Sequence, residues 1–147
     1  MTRNRVDRTF DYGMILKDAG LIAASAAAGV GGVPKIIDFG GADVRVDGTV
    51  ILDVTVIDVA NTDEVTVVIA QGSASSTFAS GVKNLASLEL NALAVQRGGA
   101  DGGVIGHYEL PFTNEFSGTA YRYFRLYTFI GGTNTGINYI AHLGKKA

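Results

Sequence analysis

The chain has 147 residues, a formal net charge of -2 and no cysteine. That length suits one domain with room for a real core. The composition excludes a disulfide framework or thiolate metal site, and the charge leaves no electrostatic footprint for nucleic acid.

The start, MTRNRVDR, carries Arg3, Arg5 and Arg8, and Gly20–Pro34 reads GLIAASAAAGVGGVP. A basic start, an apolar run and small residues are the parts of a secretory signal. Their order is wrong for one, because FDYGMILKDAG intervenes and Asp11, Lys17 and Asp18 break the run. A membrane span needs about 20 mainly apolar residues, whereas the strong hydrophobes here are Leu21, Ile22, Val30 and Val33. Neither export nor membrane insertion is expected. Residues 1–35 read as an extended arm whose small residues let backbone lie flat on another surface. Removal of residues 1–28 is expected to leave the sandwich of residues 36–147 folded.

Thr49–Val59 alternates, with Val50, Leu52, Val54 and Val56 on one face and Ile51, Asp53, Thr55 and Ile57 on the other. That is the mark of a half-buried strand. Ala60–Asp63 is turn chemistry, and Glu64–Gln71 alternates again with Val65, Val67 and Ile69 on one side. The pair predicts an antiparallel hairpin. Gly72–Gly81 is a polar loop that Phe78 is expected to pin to the core. Leu85–Val95 fits a helical period through Leu85, Leu88, Ala92 and Val95, and a strand through Leu88, Leu90, Ala92 and Ala94; the β surroundings favour strand. Gly98–Gly106 is a loop, and His107–Phe112 a short strand whose Pro111 marks a sheet edge or a strand end. Tyr121–Ile130 puts Phe124, Leu126, Thr128 and Ile130 on one face and Tyr123, Arg125, Tyr127 and Phe129 on the other. Gly131–Gly136 turns, and Ile137–Leu143 pairs back. Short strands, glycine-rich turns and no long helix predict an all-β, antiparallel two-sheet sandwich, jelly-roll-like, with an N-terminal arm.

Chemistry-bearing motifs are sparse. His107 and His142 sit on strands without a G-x-S-x-G elbow, and each reads as a surface or edge residue. No H-E-x-x-H occurs. GVGGVP and GGADGG miss the dinucleotide spacing, and LGKK lacks the rest of a phosphate loop. NTDE and Asp101 offer carboxylates for calcium, but turn duty explains them better. No catalytic residue, metal or cofactor is expected. Two readings stand for Tyr123, Arg125 and Tyr127. Either the aromatics cover the inner face of a sheet, or they form an aromatic–arginine surface for a partner, since both residue types are enriched in binding hot spots.

One resemblance spans about Tyr12 to Leu143. Asp18-Ala19 in a segment of small residues, Ile37-Asp38-Phe39-Gly40, and Tyr123-Phe124-Arg125-Leu126-Tyr127 followed by the Gly-Thr turn of GGTNTG occur in this order. The chain thereby resembles the jelly-roll capsid cement, or decoration, proteins of short-tailed bacteriophages. The resemblance implies a non-enzymatic protein on the outer surface of the virion, made in the host cytoplasm. It would bridge neighbouring major capsid subunits against internal DNA pressure. The expected partners are the major capsid protein and the chain itself, as a homodimer or, second, a homotrimer; nucleic acid and membrane are not expected. The residues assigned to partner contact are Arg3, Arg5, Arg8, Leu21, Ile22, Tyr123, Arg125 and Tyr127. The alternative is a β-sandwich module that binds carbohydrate or a host surface on the tyrosine face.

Overall fold

The structure, a computed structural model, describes residues 14–96 and 102–145. Arg3, Arg5, Arg8 and Asp101 lie outside the described residues. The strands are β1 (Ile15–Lys17), β2 (Leu21–Ile22), β3 (Ala26–Ala27), β4 (Gly29–Val30), β5 (Val33–Pro34), β6 (Ile37–Asp38), β7 (Asp47–Val56), β8 (Val65–Ser73), β9 (Lys83–Glu89), β10 (Gly106–Thr113), β11 (Glu115–Phe116), β12 (Thr119–Ala120), β13 (Tyr123–Gly131) and β14 (Ile137–Lys145). They form an all-β sandwich of two antiparallel sheets. The first runs β1-β14-β7-β10 with β2 also on β14; the second runs β3-β13-β8-β9 with β6 also on β13.

The expected hairpin between β7 and β8 does not form. β7 pairs with β10 and β14 in the first sheet, and β8 pairs with β13 and β9 in the second. The loop between them crosses the sandwich, and side chains hold it there. Asp58 accepts from Ala60 N–H and from both the N–H and hydroxyl of Thr135, and these bonds hold its carboxyl below the usual range. Asp63 likewise accepts from the N–H and the hydroxyl of Thr133. The Thr133–Thr135 stretch belongs to the other crossing, from β13 to β14, so two crossover loops are latched side by side. Turn residues announce a reversal, but here their polar side chains are spent on another loop rather than on a tight turn within one sheet.

Both sheets turn one face inward. Phe124, Leu126 and Thr128 of β13 are fully buried, as are Val50 and Leu52 of β7. Val56, expected on that face, is 48% exposed because β7 ends there and leaves the core. On β8 the inward face is Thr66, Val68 and Ala70, so Val65, Val67 and Ile69 point outward. Phe112 stacks on Phe124 at 4.4 Å between centroids, one ring from each sheet. Tyr139 of β14 is fully buried and its hydroxyl meets Thr128 Oγ1 at 2.7 Å, closing a polar contact between the sheets.

The strand expected over Leu85–Val95 runs instead over Lys83–Glu89. Beyond it the Leu90 and Ala92 N–H groups still donate to the Thr66 and Glu64 carbonyls. Side chains add to these bonds: Asn91 Oδ1 accepts from Thr66 N–H, and Gln96 accepts from Asn91 N–H while donating to the Glu89 carbonyl. Val95 then closes a turn onto Ala92. β10 is an outer strand, in keeping with Pro111.

From Ile15 onward, the segment expected to be an arm is stitched into both sheets. β1 and β2 extend the first sheet along β14, and β3 and β6 extend the second along β13. Ser25 both donates to and accepts from the backbone of Ile130, and Ala28 N–H donates to the Leu126 carbonyl. Leu16 and Ala28 belong to the core. The small residues serve a close approach of chains. A Cβ on Gly29 would stand 2.0 Å from the Val33 carbonyl oxygen, and one on Gly136 would stand 2.4 Å from that of Ile22.

Candidate partner-binding surface

The outer face of the second sheet is built from alternate residues of three strands. β13 supplies Tyr123, Arg125, Tyr127 and Phe129. Opposite them β8 supplies Ser73, Gln71, Ile69 and Val67. Beyond these, β9 supplies Asn84, Ser87 and Glu89, opposite Gln71, Ile69 and Val67. Between the two open readings of the aromatic strand, the structure places these residues on the outside of the sandwich. Phe129 is 45% exposed, and Tyr123, Tyr127, Val67 and Ile69 are half-buried. β8 therefore carries apolar residues on both faces, the pattern of a strand covered on both sides.

Arg125 is held firmly on this face. Its Nε donates to Gln71 Oε1 at 2.9 Å, and Gln71 Nε2 donates to Asn84 Oδ1 at 3.0 Å, so a polar chain crosses three strands. The guanidinium lies 4.4 Å from the Phe78 ring centroid and 5.6 Å from that of Tyr127. Burial lowers its pKa from the usual arginine value, against a smaller opposing effect of Tyr127. Phe78 is buried, but against this outer face rather than in the core, and its φ of 57° folds the loop after β8 over Arg125. Sequence periodicity located Arg125, and Phe78 was expected to pin its loop to the core rather than to Arg125. Gln71 and Asn84 gave no sign, since only strand register brings them to it. The other described arginines have carboxylates. Arg122 makes a two-pronged pair with Asp38 at 2.8 and 3.0 Å, and Arg45 pairs with Glu115. The Arg122 bond holds Asp38 below the usual carboxyl range.

The N-terminal segment offers a second surface, a groove of about 420 Å³ bordered by Lys17, Leu21, Ala27, Val33 and Pro34. Leu21 is 58% exposed at its rim. Ile22, assigned with Leu21 to partner contact, is half-buried and packs on the core. The two expected contacts thus split, because successive strand residues point to opposite sides.

The outer face of the first sheet carries His107, whose Nδ1 lies 3.0 Å from Asp53 Oδ1 and whose Nε2 lies 3.6 Å from Glu109 Oε1. The bond to Asp53, then that to Glu109, raises the imidazole pKa above 6.5. His107 is exposed, so its effect on stability is small. That contribution is present below pH 6.5 and lost as pH rises through the raised value. Asp53→Asn should bring the His107 titration midpoint down, as read by NMR of the ring protons; an unchanged midpoint would show that Asp53 does not cause the shift. Among the described residues no group of three or more His, Cys, Asp or Glu has the arrangement of a metal site. No described helix is long and apolar enough to cross a membrane.

Compared with known proteins, the chain matches no family model and no curated protein.

Proposed function

We propose that the chain is a structural protein of a bacteriophage virion, which binds the outside of the mature shell and cements neighbouring major capsid subunits. The observation that carries this reading is the outer face of the second sheet. Its centre, Tyr127, Phe129, Ile69 and Val67, is apolar and aromatic, and the Asn84–Gln71–Arg125 chain beside it is held in a fixed geometry, as a docking surface needs to be. The sequence resemblance supplies the kind of assembly. A cement protein needs one contact to the shell and gains from a second to its own kind, because linked contacts raise the effective concentration of each. The two surfaces fit that division. The N-terminal groove, with Leu21 at its rim and Arg3, Arg5 and Arg8 preceding it in sequence, serves the shell; the aromatic face serves a second copy. Binding only to the assembled shell stabilises that shell by mass action.

The test is co-sedimentation with expanded, undecorated heads and with unexpanded proheads. Saturable binding to expanded heads alone is expected, and Leu21→Asp should weaken it without changing the melting temperature. Sedimentation with neither particle would end the cementing role. Glycan-array binding lost on Tyr127→Ala would then favour the carbohydrate reading.

A further inference from the structure

The face of the second sheet carries one cation and one anion that have no charged partner among the described residues. Among the described residues Arg125 makes one side-chain hydrogen bond, through Nε to Gln71, and no ion pair, although burial already depresses its pKa. Glu89 lies on the same face, opposite Val67, half-buried and with no side-chain hydrogen bond or ion pair among the described residues. A half-buried charge is costly without a counter-charge. The strand register sets their relation. Arg125 is one strand to one side of Ile69 and two residues along; Glu89 is one strand to the other side and two residues the opposite way. At ordinary strand spacings they stand about 16 Å apart, with Ile69 midway, too far to meet within one molecule.

We infer that two copies of this chain dimerise face to face through the second sheet, each Arg125 pairing with Glu89 of the other copy. The inference rests on the proposed role only in assigning this face to self-contact. A two-fold axis lying in the interface, perpendicular to the line joining the two charges, brings each onto the other, and both pairs form at once. On a flat grid of these strands the axis passes over Ile69 and close to Phe129. Phe129 then meets its own mate, and Tyr127 lands between Ile69 and Val67 of the second copy. The apolar centre is thus covered and a charge pair closes each end. Both Nη groups of Arg125 remain for a two-pronged bond to a carboxylate, with Nε taken by Gln71. Three strands of this length make a patch of roughly 30 by 15 Å. Doubled, that is near the lower limit of specific interfaces, where weak and reversible association is the rule.

Sedimentation velocity over about 1 to 100 µM tests this. The wild-type chain should pass from monomer to dimer, and Glu89→Arg should raise the dimer Kd at least about ten-fold by setting like charges together at both ends. Adding Arg125→Glu should restore it. Because Arg125 also holds the Phe78 loop, Phe129→Glu serves as an independent disruption on an exposed ring, with near-UV circular dichroism checking the fold. A monomer throughout the range, or a dimer indifferent to both Glu89→Arg and Phe129→Glu, overturns the inference. Head binding is scored separately. A dimer that ignores heads removes the cementing role and leaves the interface; head binding by a strict monomer does the reverse.

Discussion

Leu126→Asp should unfold the domain, while Tyr127→Asp, one residue along the same strand, should leave it folded. Leu126 is fully buried between the sheets, and its neighbours in the core are apolar. A carboxylate there has no partner. It either stays charged in a dry interior or gives up its charge and still loses the leucine packing, at a cost of about 4 kcal/mol or more. Against a total stability of roughly 5–15 kcal/mol, that takes nearly the whole margin of a domain at the lower end of the range. Tyr127 points to the outer face, where an aspartate reaches solvent in the monomer. Its cost should fall on self-association. Urea denaturation followed by circular dichroism separates the two variants. A cooperatively folded Leu126→Asp together with an unfolded Tyr127→Asp would mean that the strand faces the opposite way.

The alternation along β13 was legible because Phe124, Leu126 and Thr128 alternate with Tyr123, Arg125, Tyr127 and Phe129 over the whole strand, and a period of two needs no tertiary information. Which of the two faces turns inward was left open and is decided by burial. β8 shows the limit of the same logic. Val65, Val67 and Ile69 alternate perfectly, yet they face outward, because Val68 and Ala70 pack the core as well and the strand is apolar on both sides. Periodicity cannot choose between two apolar faces. The false hairpin has a different origin. ANTD reads as a turn, but whether a turn closes one sheet or crosses to the other depends on what Asp58 and Asp63 bind, and their partners lie in the distant GGTNTG. The candidate site was legible in its β13 half only. Glu89 and Gln71 carry no local signature; register alone brings them to the face. The N-terminal segment was misread because Ala and Gly look like poor core. They are poor core, but they let backbone lie against backbone, and two buried residues, Leu16 and Lys17, anchor what the small residues allow.

Lys17 is where that anchoring can be broken with one substitution. Its ammonium donates to the carbonyls of Asp18, Gly20 and Tyr139 at 2.9, 2.7 and 2.8 Å, and lies 4.8 Å from the Tyr139 ring centroid. Each of its three protons thus has an acceptor, and the residue ties β1 and the turn after it to β14. Lys17→Met keeps the length of the side chain and removes every donor. The partners are backbone carbonyls that stay behind, so relief of the buried charge does not compensate as it would if a whole ion pair were replaced. The Tyr139 carbonyl is left unpaired in the interior and the other two are partly reached by water. The expected loss is about 3 kcal/mol, or roughly 10 °C in melting temperature for a chain of this size. Alkaline pH gives an independent reading. Burial lowers the Lys17 pKa, so between that value and 10.5 the unfolded chain holds a proton the native state has released, and this group's contribution rises with pH. Burial raises the Tyr139 pKa, so above pH 10 the unfolded chain loses a proton the native state keeps, and that contribution falls. In Lys17→Met the rise should vanish and the fall remain. Deleting residues 1–28 should be more damaging still, since it removes Leu16, Lys17 and Ala28 and bares the edges of β13 and β14. A chain begun at Met14 keeps every contact described. If the protein lacking residues 1–28 melted like the wild type, the segment would be an arm after all.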